Sequence, residues 1–460
     1  MTRAAVALLA ALTLVGTAAA ATIRGTARND RINVVNGSRQ TVACGRGLDV
    51  VNADLVDVVR QDCETVARRI SRDVTTVSGA QHATIAEPET FSFGSTVATA
   101  FQVGRFVDGG SGAVGWASSL DAGRTWRSGP LPGVARASDP SVAYDASHRV
   151  WLAVTLGIAN GPNSIDVSRS VDARRWDAPV HALLFRTAAF DKEWIVCDNA
   201  PTSPRHGTCY IAFTDIRSDR IAVTASSDGG VTWTSPVDAG KPPDVVGAQP
   251  IVLPDGTLVV AWLQQNRLLV AASSRNGAAS FEPAVNISEL EFHGTPGLRA
   301  PPLPSIEVGA DGRALLAWPD CRFRSGCQGN DVVVSTSTDG VTWTPPARIT
   351  NGGGSFLIPG IAADPQTGAL AVVAMVELPG TSGRLGAVLL VARDGVRWAP
   401  PRRLDAVAMP ISWLPRAGGA FLGDYLSASW SGGRPIGVVP LALAPTRSGL
   451  RLALYSGTVR

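Results

Sequence analysis

One short phrase recurs six times along this 460-residue chain. Its fullest form, at residues 119–126, reads SLDAGRTW; it returns as SSDGGVTW at 226–233 and, one residue shorter, as STDGVTW at 337–343. Looser copies stand at 170–176 (SVDARRW), 274–281 (SRNGAASF) and 392–398 (ARDGVRW). The central acid, or its amide stand-in, is Asp121, Asp172, Asp228, Asn276, Asp339 and Asp394, with gaps of 51, 56, 48, 63 and 55 residues. A period near 50 residues marks a repeat architecture, in which each unit buries its apolar face on the next.

Each copy follows a β-rich run such as residues 220–226 (RIAVTAS) or 331–337 (DVVVSTS). The phrase therefore reads as a hairpin turn. Its Ser and Asp side chains bond the turn's own N–H groups, and its Gly supplies a left-handed backbone. The closing Trp is too large for the turn and is expected on a neighbouring strand. A carboxylate repeated at fixed spacing is structural, so these six positions are expected to be scaffold and not chemistry.

Between the turns, strands of five to nine residues recur in the same order, without helical periodicity. Residues 193–198, 208–216, 220–227 and 233–237 make one such set. Four-stranded antiparallel units in series imply an all-β propeller. Residues 81–460 hold 380 positions at a mean spacing of about 55, so seven blades are expected over six. The last set lacks a fourth strand, and residues 73–78 (DVTTVS) are expected to supply it and close the ring.

The phrase resembles the Asp-box, or bacterial neuraminidase repeat, of sialidase-like proteins over about residues 81–460. The resemblance implies a β-propeller whose boxes join the third and fourth strands of each blade, opposite the ligand face. It also implies an exo-sialidase-like chemistry built on three Arg, a Tyr nucleophile paired with Glu, and an Asp acid/base. On that pattern Arg105, Arg217 and Arg322 are offered as the cationic triad and Tyr425 as nucleophile. Glu87 or Glu193 would be its partner, and Asp139, in a further link between blades, is a further catalytic candidate. Asp191, Lys192 and Asp424 join them as ligand-binding candidates. The family's Arg-Ile-Pro motif is absent, and residues 83–88 read ATIAEP. The leading expectation is thus a propeller that binds an extracellular glycan or protein partner without catalysis. The alternative is an exo-acting glycoside hydrolase on terminal sugars.

The N-terminal part reads differently. Residues 1–21 have the basic start, apolar stretch and small-residue end of a secretion signal. Residues 22–71 contain GRGLDVV at 45–51, which resembles a degenerate calcium-type β-roll repeat and implies weak calcium candidates in Asp30 and Asp49. The module is expected to need no metal and to cap a propeller over residues 72–460. The six Cys fall into local pairs 44/63, 197/209 and 321/327, which in an exported chain implies disulfides. A net charge of +3 argues against nucleic acid, no later apolar run is long enough to span a membrane, and a monomer needing no cofactor is expected.

Overall fold

The computed structural model describes residues 21–158, 163–185, 189–241 and 243–460. The expected secretion signal, apart from Ala21, lies outside them. The described chain is all-β, with two 3-10 turns, at Ser325–Cys327 and Ile411–Trp413, as its helical elements.

Six short strands come first: β1 Ala21–Arg24, β2 Arg31–Asn33, β3 Gln40–Ala43, β4 Val50–Ala53, β5 Val58–Val59 and β6 Thr65–Arg69. They form two parallel sheets, β1-β3-β5 and β2-β4-β6. Val34, Val42, Val51, Ala53 and the Cys44–Cys63 disulfide fill the space between them.

Antiparallel sheets of four follow. The first holds β7 Gln81–Phe93, β8 Thr96–Arg105, β9 Ser111–Ser119 and β10 Arg127–Pro130. The next holds β11 Ala137–Asp145, β12 Val150–Gly157, β13 Asn163–Ser170 and β14 Val180–Phe185. After it come β15 Phe190–Cys197, β16 Cys209–Asp215, β17 Arg220–Ser226 and β18 Val237–Gly240. A further set is β19 Val245–Val252, β20 Leu258–Gln264, β21 Leu268–Ser274 and β22 Val285–Glu289. It is followed by β23 Ser305–Val308, β24 Ala314–Asp320, β25 Asp331–Ser337 and β26 Ala347–Arg348. Then come β27 Ser355–Ala363, β28 Leu370–Glu377, β29 Arg384–Ala392 and β30 Arg402–Arg403, with β31 Met409–Pro410 also on β29. Last are β32 Ser427–Ser431, β33 Arg434–Ala442 and β34 Leu452–Val459.

This last set takes its fourth strand from β6, antiparallel to β34, with Tyr455 opposite Arg69 and Val459 opposite Thr65. The expected closing segment, residues 73–78, is not a strand. The reason lies in the N-terminal sheet: β4 already holds β6 in an extended, paired state, so β6 is a ready edge for β34. The first strands β7, β11, β15, β19, β23, β27 and β32 contact one another in that order, and β32 returns to β7. The disulfides Cys44–Cys63, Cys197–Cys209 and Cys321–Cys327 are all formed, as expected from the local pairs.

The repeated phrase forms the turn after each third strand. In one copy Asp228 accepts from the Ser226 hydroxyl at 2.8 Å, the Val231 and Thr232 N–H groups at 3.0 Å each, and the Thr232 hydroxyl at 2.6 Å. Gly229 and Gly230 hold φ of 72° and 80° there, where a Cβ would strain the backbone. Asn276 reproduces the pattern, accepting from Ser280 N–H at 3.0 Å while its amide donates to the Ser280 hydroxyl. Each closing aromatic then seals two sheets together. Trp176 packs with Ala98 and Val114 of the preceding sheet, Trp233 with Val150 and Leu152, and Trp126 with Ile436 and Val438 across the ring's closure.

These turns make the carboxylates strong acids. Burial alone would raise the Asp228 carboxyl, but the Thr232 and Ser226 bonds hold it down from 3.8 to about 2. Its contribution is therefore present above about pH 4 and is lost as pH falls through about 2. Asp228→Ala should cost about 2 kcal/mol of stability in urea unfolding. It should also remove part of the wild type's decline below pH 4; an unchanged acid limb would show that the turn bonds are not formed in solution.

Candidate functional site

The first strands share an irregularity at matching places. Pairing slips between Ala86 and Glu89 in β7, Ser138 and Ser141 in β11, and Asp191 and Trp194 in β15. It slips again between Val246 and Gln249 in β19 and Leu357 and Gly360 in β27. In each bulge the first extra residue is left-handed: Glu87 at φ 51°, Asp139 at 45°, Lys192 at 53°, Gly247 at 77° and Ile358 at 50°. Such a conformation costs a non-glycine residue about 1–2 kcal/mol, and a bulge re-aims the side chain it carries. In the adjacent strands β7, β11 and β15 the re-aimed residues are all charged.

They meet in a buried cluster. Lys192 Nζ lies 2.9 Å from Asp139 Oδ1, 2.8 Å from Asp424 Oδ2 and 3.5 Å from Glu87 Oε1. Burial alone would lower the lysine, but Asp139, Asp424 and Glu87 hold it charged, well above its ordinary value. Arg299 grips Asp424 with both sides of its guanidinium, Nε to Oδ1 being 2.9 Å. Burial acts to raise Asp424, and Lys192 and Arg299 together keep it below the usual carboxylate range. Arg105 stands 3.6 Å from Glu87 and donates to Gln102 Oε1 at 2.5 Å, while the Gln102 amide donates back to Glu87. Phe421 lies between the two guanidiniums, 4.4 Å from Arg105 and 5.0 Å from Arg299.

A cleft of about 410 Å³ opens above this cluster, at the end of the sheets carrying the turn from β8 to β9. Arg105, Arg136, Asp139, Asp191, Lys192 and Arg299 bring charge to its walls, and Phe190 adds an apolar face. Arg136 is held by Asp108 at 2.6 Å. Burial pushes Asp191 up from 3.8 to about 6, against the pull of Lys192.

Of the residues singled out by sequence, Glu87, Arg105, Asp139, Asp191, Lys192 and Asp424 come together here. Tyr425 packs beneath: its ring meets Trp194 edge-on at 5.1 Å and its hydroxyl donates to the Pro140 carbonyl at 3.3 Å. Burial and the Glu87 carboxylate push the phenol well above 10. Glu193 is buried with neither carboxyl oxygen hydrogen-bonded, and burial raises it well above 4.5. The proposed arginine triad does not assemble. Arg217 is exposed, Asp215 pairs with Arg220 at 3.1 Å instead, and Arg322 is held by Asp320 at 2.7 Å. Arg322 is thus held within its own turn, and Arg217 stays at the surface because Arg220 already occupies Asp215.

Arg136, Gln102 and Phe421 were not legible as site residues. A signal did exist for the bulges: Glu87-Pro88, Asp139-Pro140 and Ile358-Pro359 stand in one phase of the repeat. The calcium candidates Asp30 and Asp49 lie in the N-terminal part, outside this cluster. Asp49 accepts the Asp30 N–H at 2.7 Å, and Asp30 accepts the Thr26 N–H at 2.5 Å. Asp30 also accepts the Thr26 hydroxyl at 3.0 Å, while Asp49 Oδ2 is buried without a hydrogen-bond partner. Among the described residues, one group of metal-type side chains clusters closely, Glu291 with Cys321 and Cys327, and those cysteines are disulfide-bonded.

No protein-family model matches the chain, and no curated protein matches its sequence. Solved structures do match its fold. A leech intramolecular trans-sialidase is 12% identical with a TM-score of 0.50, over 75% of this chain and 70% of that one. The intramolecular trans-sialidase of Ruminococcus gnavus is 12% identical with a TM-score of 0.49, over 69% and 95%. A protein of unknown function from Dyadobacter fermentans is 17% identical with a TM-score of 0.46, over 70% and 98%. The leech likeness is one of fold: an all-β, propeller-like architecture. No helix among the described residues is long and apolar enough to cross a membrane.

Glu87 gives the cluster a pH signature. Burial pushes its carboxyl from 4.5 to about 7, with Lys192 opposing and Asp139 and Asp424 adding to the rise. A raised carboxyl stabilises the fold most below about pH 4.5, and that contribution is lost as pH rises through about 7. Glu87→Gln should therefore flatten the fall in stability between pH 5 and 8, by on the order of 3 kcal/mol. Thermal melts of both forms across that range would show the difference; parallel curves would mean that Glu87 is already ionised at pH 5.

Proposed function

We propose that the chain is an exported, seven-bladed Asp-box propeller with a β-roll-like cap, and that its axial cleft holds the terminal sugar of an extracellular glycan without cleaving it. The blade count is supported by the closed order of first-strand contacts and by β6 completing the last sheet. Export is supported by three disulfides, which persist in oxidising surroundings. The sugar class is suggested by the leech protein of like fold, whose structure holds 2,7-anhydro-Neu5Ac.

The observation that carries the reading is the state of Lys192. One ammonium is shared by Asp139 and Asp424, with Glu87 farther off at 3.5 Å, so two of the axial carboxylates serve as its counterions. Hydrolysis needs one carboxyl to give up a proton and a second group to attack or to activate water. Tyr425 is buried, neutral and turned to a carbonyl, which does not suit a nucleophile. What remains at the cleft is a set of fixed donors and acceptors, and sugar hydroxyls need both.

One observation favours hydrolysis as a second reading. Asp191 lines the cleft with its carboxyl at about 6, the range of a general acid near neutral pH.

The two readings separate in one experiment. Purified protein is titrated with sialic-acid-terminated and neutral oligosaccharides, and assayed for product release from the matching fluorogenic glycosides. Saturable binding without release is expected. Arg136→Ala, which frees the exposed Asp108, the Gly109 carbonyl and the Phe106 ring face, should weaken binding about tenfold, close to 1.4 kcal/mol. Tyr425→Phe should bind like the wild type. Release that Asp191→Asn abolishes would overturn the binding reading in favour of hydrolysis.

A further inference from the structure

Two clefts larger than the axial one open at the other end of the sheets, beside the repeated turns. They measure about 690 and 630 Å³ and share Arg393, Val459 and Arg460, so they join into one trough. Arg68 from β6, Arg124 from the first repeated turn, Arg434 from the β32–β33 hairpin, and Arg397 and Arg402 line it further. Asp394 is the one acidic side chain in the lining, with Arg397 4.0 Å away.

These guanidiniums are left largely uncompensated. Among the described residues, Arg124, Arg393 and Arg434 have no carboxylate within ion-pair distance. Arg124 instead donates to the Asp121 backbone carbonyl at 3.3 Å, and Arg68 to the carbonyls of Asp54 and Asp57 at 3.2 and 3.1 Å. The Asp121 carboxylate, which faces Arg434, is committed to Ser119 and Thr125 within its own turn. Burial and the like charges of Arg124 and Arg460 pull Arg434 below the usual arginine value. Positive charge held together in a cleft is a cost that a bound anion relieves.

We propose that this trough is a second ligand site, independent of the axial cleft, and that it takes an anionic polysaccharide bearing sulfate or carboxylate groups. Guanidinium forks suit both groups, since each presents two oxygens to paired N–H donors. The run of charges over two joined clefts fits a polymer better than a single small anion. Pro400, Pro401 and Val459 give an apolar floor for the C–H faces of sugar rings. Single-stranded nucleic acid would need aromatic platforms for its bases, and no Phe, Tyr or Trp lines either cleft. The site exists because β6 closes the last sheet: that pairing brings Arg68 of the N-terminal segment beside Arg434 and the repeated turns.

The test is equilibrium binding of dextran sulfate, unsulfated dextran and an oligothymidylate to the full chain at 150 mM salt. Dextran sulfate should bind, and unsulfated dextran should not. Arg124→Ser, Arg393→Ser and Arg434→Ser together should lower dextran sulfate affinity at least about tenfold. The exposed triple Arg175→Ser, Arg217→Ser and Arg267→Ser, with the same change in charge, should have little effect. Equal losses in the two triples would reduce the attraction to net charge and overturn the site. Tighter binding of oligothymidylate than of dextran sulfate would overturn the choice of polysaccharide. Sugar binding at the axial cleft is read separately and should survive the trough triple.

Discussion

The last sheet is complete only because a strand from the other end of the chain joins it, through five residue pairs between Thr65–Arg69 and Tyr455–Val459. Without it β34 would be a free edge. The strand that closes the ring is borrowed from the N-terminal parallel sheet. The N-terminal parallel sheets and the antiparallel sheets are therefore one folding problem: β6 must satisfy β4 on one side and β34 on the other. The same pairing sets the Arg-lined trough between them.

The two ends of the ring handle charge in opposite ways. At the repeated turns, carboxylates are ionised cheaply because backbone N–H groups and hydroxyls point at them. At the axis, carboxylates are buried, and their ionisation is supported by a single lysine and two arginines. The axial arrangement costs backbone strain at Glu87, Asp139 and Lys192, each held left-handed where a glycine would sit more easily. Strain of that kind persists where the surroundings over-determine it, and the shared ammonium is what over-determines it here. The bulges at Gly247 and Ile358 carry no charge, so the polar mouth is confined to one side of the ring.

Much of the fold could be read from residues close in sequence. The turn phrase needs only partners within four positions, so its Ser, Asp, Gly and Trp announce themselves, even where Asn276 replaces the acid. The disulfides were legible for the same reason, their partners being 19, 12 and 6 residues apart. The closing strand was not, because residues 73–78 have as good a β pattern as β6, and what separates them is a pairing across almost 400 residues. For the site, the charged links at Glu87, Asp139, Lys192 and Asp424 could be picked out as inter-blade positions. The arginines could not be sorted, since Arg105, Arg217 and Arg322 all stand at or just past the second strand of their sets, and only the fold shows that Arg105 reaches Glu87 while Arg322 pairs with Asp320 and Arg217 is exposed.

The chain's own order of residues determined the period, the turns, the four-strand unit and the all-β class, because each of these is satisfied by neighbours along the backbone. The tertiary structure alone decided which strand closes the ring, which arginine reaches the axis, that one lysine lies among carboxylates from β7, β11 and the link before β32, and that seven arginines from distant segments share a trough. Those outcomes depend on distances between residues that no local rule connects, and electrostatic energy follows distance.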